Sequence, residues 1–138
     1  MTTEWTYRGE PFTDPGAHWG FVYRITCLTN GKQYIGRKIF STSKSRQVKK
    51  KRKKYRVESD WKTYWSSSQD VQDEVARLGE AQFTREILRL CDSKSSLAYW
   101  ETYYIFHYHA LIHPNWYNQW VSCRIRRSNL RATDIENT

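Results

Sequence analysis

The sequence predicts a small α+β domain: a three-stranded antiparallel sheet flanked by helices. Three observations predict it. Two β-branched and aromatic runs, 20–28 (GFVYRITCL) and 32–39 (KQYIGRKI), flank Asn30-Gly31, the dipeptide that best tolerates the positive φ angles of a tight hairpin turn. Val71, Val75 and Leu78 recur at i, i+4 and i+7, one face of an amphipathic helix that Gly79 ends. Finally, 82–90 (QFTREILRL) partly alternates, and Leu97, Trp100, Tyr104, Ile105 and Tyr108 follow it at helical spacing. The 138 residues amount to one domain and carry no internal repeat.

In chain order, residues 1–18 contain Gly9, Pro11, Pro15 and Gly16 without a period, and read as an arm over the domain. A two-residue turn at Asn30-Gly31 would place Cys27 opposite Tyr34, Ile25 opposite Gly36 and Tyr23 opposite Lys38. Strand side chains alternate, so Tyr23, Ile25, Cys27, Tyr34, Gly36 and Lys38 share a face; a longer loop would shift the pairs but keep each strand's alternation. Two phenols and an ammonium then meet beside a glycine notch. In ESDWKTYWSSS (58–68), Asp60 and Ser68 can each cap a helix. Asp92 to Ser96 offers N-caps for the last helix, and 116–126 (WYNQWVSCRIR) reads as extended. The chain therefore divides into the arm 1–18, a core 19–120 with a basic insertion at 40–57, and a basic tail 121–138.

Charge narrows the partner. The net charge is +9, and the insertion region concentrates it: twelve basic residues and no acid between Lys32 and Val57. They are Lys32, Arg37, Lys38, Lys44, Arg46, Lys49, Lys50, Lys51, Arg52, Lys53, Lys54 and Arg56. Arg124, Arg126, Arg127 and Arg131 form a second patch. Such charge suits a polyanion, with nucleic acid ahead of an anionic membrane, and phosphate binding would release counterions and be salt-sensitive. A loop that is mobile when free and follows phosphates when bound, or a nuclear localisation signal, gives the same run. No apolar run approaches the ~20 residues of a membrane helix, and Met1 to Trp5 is no signal peptide. Cys27, Cys91 and Cys123 are an odd, scattered set that suits a reducing cytoplasm rather than a disulfide scaffold or a CxxC zinc site. Seven Trp and ten Tyr supply core bulk and rings that could stack on bases.

Glu101 is out of place. It lies four residues past Leu97 and three before Tyr104, within the apolar stripe of the last helix. An inward carboxylate costs several kcal/mol unless it is paired or holds a metal. The plainer alternative is a helix-edge Glu that reaches solvent or a basic neighbour. His109 and His113 at i, i+4 could face one ion, but no third ligand is evident. His107, His18 and Cys27 read as structural.

These residues together resemble the GIY-YIG nuclease superfamily. Phe21-Val22-Tyr23, followed eleven residues later by Tyr34-Ile35-Gly36, is similar to its two signature motifs. Ser66-Ser67-Ser68 before a helix resembles its "GSS" step, Gly79 with 83–90 its "G…F…IL" strand, and Trp116-Tyr117-Asn118 its closing "YN". Glu101 falls where the family's metal-binding Glu lies. The layout is most similar to small phage-encoded, homing-endonuclease-like members. It departs in three places: Phe21 stands at the first motif's usual Gly, Trp65 at the Gly of "GSS", and only Lys44 and Arg46 lie where the family's essential Arg would be.

The resemblance implies a metal-dependent DNA endonuclease in the same sandwich fold. Tyr23 would be the general base, through its phenolate or as a proton relay, and Tyr34 would orient the attacking water or a phosphate oxygen. Glu101 would bind one Mg²⁺ (or Mn²⁺), which keeps most of its waters. Asn118 would fix the site. A phenol of pKa ~10 needs a nearby cation to lower it. Lys38 is the first choice because it shares the tyrosines' face; Arg37 should point the other way, and Arg46, Arg52 or Arg56 could swing in. Gly36 would let the DNA backbone approach. The DNA contacts expected are Gly36, Arg37, Lys44, Arg46, Lys49, Lys50, Lys51, Arg52, Lys53, Lys54, Arg56, Arg124, Arg126 and Arg127. One active site cuts one strand, so double-strand cleavage needs a homodimer on DNA or two nicks. The alternatives are a non-catalytic nucleic-acid-binding protein on the same fold, or a restriction- or repair-type structure-specific nuclease.

Overall fold

A computed structural model of the chain describes residues 4–130 and 133–134. Its elements are β1 (Trp5–Tyr7), β2 (Glu10–Pro11), β3 (Gly20–Cys27), β4 (Gln33–Ile39), β5 (Ser41–Val48), β6 (Lys51–Glu58), α1 (Gln69–Leu78), β7 (Phe83–Cys91) and α2 (Lys94–His107). The class is α+β, as the sequence predicts, but the main sheet has five strands in the order β2-β1-β7-β3-β4. The added strands come from the segment read as an arm. Trp5–Tyr7 pairs parallel with Arg85–Ile87, and β2 folds back on β1. With three and two residues, they are too short to show a period. Pro11 is tolerated because it lies on the outermost strand.

The sheet separates two cores. Phe21, Tyr23, Ile25 and Cys27 project with Trp5 and Phe83 against Val71 and Val75 of α1 and against Trp61. Val22, Ile35 and Cys91 project the other way, against Leu97, Trp100 and Ile105 of α2. Ser68 caps α1 by accepting from Val71 N–H, and Ser93 caps α2 by accepting from Ser96 N–H. Asp60 precedes only a single 3₁₀ turn, Trp61–Thr63, and makes no side-chain cap bond. Beyond Trp116, which bridges to Gln33, the stretch read as extended forms no ladder.

The hairpin register differs from the two-residue reading. Cys27 N–H donates to Lys32 O, closing a four-residue loop, so Tyr23 faces Gly36 and Ile25 faces Tyr34. Asn30 accepts from Lys32 N–H at 2.9 Å, and only Gly31 takes a positive φ (74°). A type I′ turn needs two such residues. The shift is by two, so the shared face survives.

The basic insertion, expected as a loop, is a two-stranded antiparallel ribbon, β5–β6. Its two-residue turn carries positive φ at Lys49 (47°) and Lys50 (62°). Without Asn or Gly at the turn, and with few apolar residues to alternate, the sequence hides it. Each left-handed Lys costs ~1–2 kcal/mol.

Strand β4 is an edge strand. Its outer side is covered by the segment after α2: Gln33 N–H donates to Asn115 O, Tyr117 N–H to Gln33 O at 2.8 Å. The Asn118 amide then accepts from Ile35 N–H at 3.0 Å and donates to Ile35 O at 2.9 Å. One side chain thus imitates a paired strand residue. Asn118→Ala would leave two backbone groups without partners, each worth ~1–3 kcal/mol when buried. We expect it to lower stability by about 2 kcal/mol or more, measured by urea unfolding; an unchanged midpoint would contradict this bond pair's role.

Candidate active site

Because β4 ends the sheet, side chains from both of its faces can meet around its edge. A cleft of about 550 Å³ opens there, lined by Tyr23, Tyr34, Arg37, Glu101, Asn118 and the start of α1 from Ser67 to Asp70. The sequence-predicted Tyr23, Tyr34, Glu101 and Asn118 therefore converge.

Tyr23 is 1 % exposed. Its ring lies over Gly36, its direct cross-strand partner. A Cβ at position 36 would collide with the Tyr23 hydroxyl and Cζ and lie 2.9 Å from Tyr34 Cε2. The space over Gly36 is thus filled by the chain's own phenol, not left open for a DNA backbone. Burial, with Tyr64 and Tyr34 close by, pushes the Tyr23 pKa well above the usual phenol value, against the nearby Ser66 hydroxyl, which pulls it down. Burial raises Tyr34 too, offset by Ser66 and Ser67. Both phenols are neutral near pH 7.

Ser66 is the residue sequence reasoning missed as an individual. It is 3 % exposed, and its hydroxyl lies close enough to both phenols to lower the pKa of each. Its Oγ also accepts from Ser68 N–H at 2.9 Å. Its φ is +97°, a backbone that favours glycine. The glycine-like position of the Ser-rich step is therefore Ser66, not Trp65. The loop is held from behind: Trp5 Nε1–H donates to Trp61 O at 2.7 Å, and Arg85 donates to Tyr64 O at 2.8 Å. The Arg85 guanidinium lies over Trp5 (4.7 Å) and Trp65 (4.4 Å), and burial lowers its pKa to about 10.

Glu101 stands on α2 with its side chain 18 % exposed. Burial raises its pKa, and Arg37 pulls it back. The two are 3.8 Å apart, Nε to Oε1, and Arg37 is 42 % exposed. Arg37 does point away from the tyrosines' face, as its alternation predicts, yet that direction leads to Glu101 and into the cleft. Lys38, the first choice for the cation, does not line it. Its ammonium pairs with Asp60 at 2.7 Å and sits 4.0 Å from the Tyr64 ring centre. Facing Phe21 rather than Tyr23, it follows from the corrected register.

Of the expected DNA contacts, Lys44 to Arg56 lie on the ribbon or its turn. Arg124, Arg126 and Arg127 are exposed on the segment after the cleft. Arg131 lies outside the described residues. His109 and His113 pack edge to face, ring centres 5.7 Å apart. Among the described residues, no group of three or more His, Cys, Asp or Glu could hold a metal together. None forms a helix long and apolar enough to cross a membrane.

The α+β sandwich thus brings together tyrosines from a hairpin, a carboxylate from a helix and an amide that locks the edge strand. A family model described as "Putative endonuclease segE, GIY-YIG domain" matches residues 5–121. The chain belongs to the GIY-YIG endonuclease family. The match begins at Trp5, so it takes in the first strand. No curated protein and no solved structure matches the chain.

Ser66 offers a test of this geometry. Ser66→Gly removes both the hydroxyl and the strained φ, whereas Ser66→Ala removes the hydroxyl alone. Ser66→Gly should therefore be the more stable of the two by about 1 kcal/mol in thermal unfolding. Equal stabilities would contradict the strained backbone.

Proposed function

We propose that this nuclease hydrolyses phosphodiester bonds in DNA at the β4 cleft, with a divalent ion held by Glu101. The observation that carries the reading is Glu101 itself: a mostly buried carboxylate, raised by desolvation, facing a cleft with no cation closer than Arg37 at 3.8 Å among the described ion pairs. That donor suits Mg²⁺ or Mn²⁺, because Mg²⁺ commonly takes one or two carboxylates and keeps its remaining waters. A bound ion would supply Lewis-acid stabilisation of the phosphate oxygens.

The chain's own residues do the rest. Tyr23 and Tyr34, both beside Ser66, act as neutral hydroxyls. This supports the relay form of Tyr23 over a standing phenolate: it takes the proton of the attacking water as it passes its own to a non-bridging oxygen of the phosphate. Arg37 serves as the cation, placed by β4 to neutralise charge gathering on the phosphorane. The α1 N-terminus, at the cleft wall, favours an anion there. Asn118 keeps β4 in register. The ribbon and the exposed arginines after the cleft contact phosphates. We infer a phage-type, homing-like endonuclease acting in the cytoplasm, with one site nicking one strand and paired copies making double-strand breaks.

The test is nicking of supercoiled plasmid with Mg²⁺, with Mn²⁺ and with EDTA. Metal-dependent nicking should fall more than about 100-fold in Glu101→Gln, since Lewis-acid stabilisation is worth several kcal/mol. Nicking that survives the change would contradict the assignment. DNA binding without any nicking would favour the non-catalytic reading.

A second outcome needs no turnover. A carboxyl raised in the folded state carries a stability penalty. That penalty is absent below the ordinary pKa of ~4.3 and complete above the raised folded value. Without divalent ion at pH 7, Glu101→Gln should thus melt no lower than the parent, and Mg²⁺ should raise the melting temperature of the parent alone. A clear drop in the metal-free variant would contradict the desolvated carboxylate.

A further inference from the structure

The β5–β6 ribbon has no part in the chemistry above, and no apolar core of its own. Sixteen residues, eight in each strand, pair from Ser41↔Glu58 to Val48↔Lys51. Most are exposed. Isolated two-stranded hairpins are marginal in water, so a ribbon kept with this composition calls for a ligand.

The pairing register sorts its charges. Cross-strand partners share a face and alternate positions switch faces. One face carries Arg52, Lys54 and Arg56 opposite Gln47, Ser45 and Ser43. The other carries Lys44, Arg46, Lys51 and Lys53, with Tyr55 opposite Lys44. Both faces are therefore basic. Arg52 and Arg56 are laid along the ribbon by hydrogen bonds of 3.1 Å to Ser45 and Ser41. At the tip, Lys49 and Lys50 hold positive φ, where Asn-Gly would be unstrained. Strain kept at a tip made of two cations points to work done by those side chains.

We propose that this ribbon enters the major groove of B-form duplex DNA tip first. Each basic face then meets one phosphate wall, and Lys49 and Lys50 reach the groove interior. This rests on the reading that the chain acts on nucleic acid, and adds which duplex and which groove. Facing sheets stack ~10 Å apart, so a ribbon with side chains on both faces is roughly that thick. The B-DNA major groove is ~12 Å wide and admits a two-stranded ribbon. The major groove of A-form RNA is too narrow. A membrane surface would instead select one basic face over one apolar face, which this register does not produce.

The experiment is equilibrium binding in EDTA, so that cleavage plays no part. Mixed-sequence duplex DNA and the matching duplex RNA are compared over a salt series. Lys49→Asn with Lys50→Gly should leave the hairpin at least as stable, because it installs the preferred turn. It should weaken duplex-DNA binding by about tenfold or more, because both groove-reaching cations are gone. Arg52→Ser with Lys54→Ser, on one face, and Lys44→Ser with Lys53→Ser, on the other, should each weaken binding and flatten the log–log salt slope by ~1.8, because two fewer phosphates are neutralised. Duplex RNA should bind at least about tenfold more weakly. Methyl green, a major-groove ligand, should displace the protein, and the minor-groove ligand netropsin should not.

Unchanged binding by the turn variant, an effect from one face alone, displacement by netropsin only, or equal binding of RNA would each overturn the proposal. So would a parent that binds no duplex. A parent that binds as expected but never nicks with Mg²⁺ or Mn²⁺ would sink the nuclease reading and leave the ribbon proposal supported.

Discussion

The site depends on a missing side chain. Tyr23 and Gly36 face one another across β3 and β4, and the phenol occupies the volume that a Cβ at residue 36 would take. That contact lays the ring flat toward the sheet edge instead of standing it away from the strand. From there it lies near Ser66, whose hydroxyl lowers the pKa of both Tyr23 and Tyr34. The register follows from the loop: Asn30 spends its side chain on Lys32 N–H, so the turn is four residues long and Tyr23 meets Gly36 instead of Lys38.

The second constraint is that β4 is an edge strand. A central strand would keep the tyrosine face and the Arg37–Glu101 face on opposite sides of a closed sheet. At the edge they share a cleft, and Asn118 satisfies the strand's backbone beside it. The groups gathered there are biased toward neutrality: burial raises Tyr23, Tyr34 and Glu101 alike. Next to them the ribbon carries the opposite bias, with cations on both faces and no acid between Thr42 and Val57.

Periodicity made part of this legible. The α1 stripe, the β7 run and the β3–β4 alternation all rest on many residues pointing the same way, and all appear where the pattern places them. Tyr23, Tyr34, Glu101 and Asn118 could be picked out because several motifs fell in order. What stayed hidden was set by tertiary contact or by single backbone angles. Trp5–Tyr7 is a strand only because β7 offers it an edge. The ribbon turns on two lysines that local preference would not choose. Ser66 matters through one φ angle and two phenols distant in sequence. Alternation alone points Arg37 away from the tyrosines; that the other face also reaches the cleft follows from β4 being at the edge.

The most direct test of the Tyr23–Gly36 constraint is a double-mutant cycle on plasmid nicking, with folding checked by circular dichroism and melting. Gly36→Ala should fold and bind duplex DNA yet lose most nicking, because the phenol is displaced. Tyr23→Phe should lose it because the hydroxyl is gone. If both changes act through the same phenol, the double variant is no worse than the weaker single. Full activity in Gly36→Ala, or two losses that simply multiply, would contradict the account.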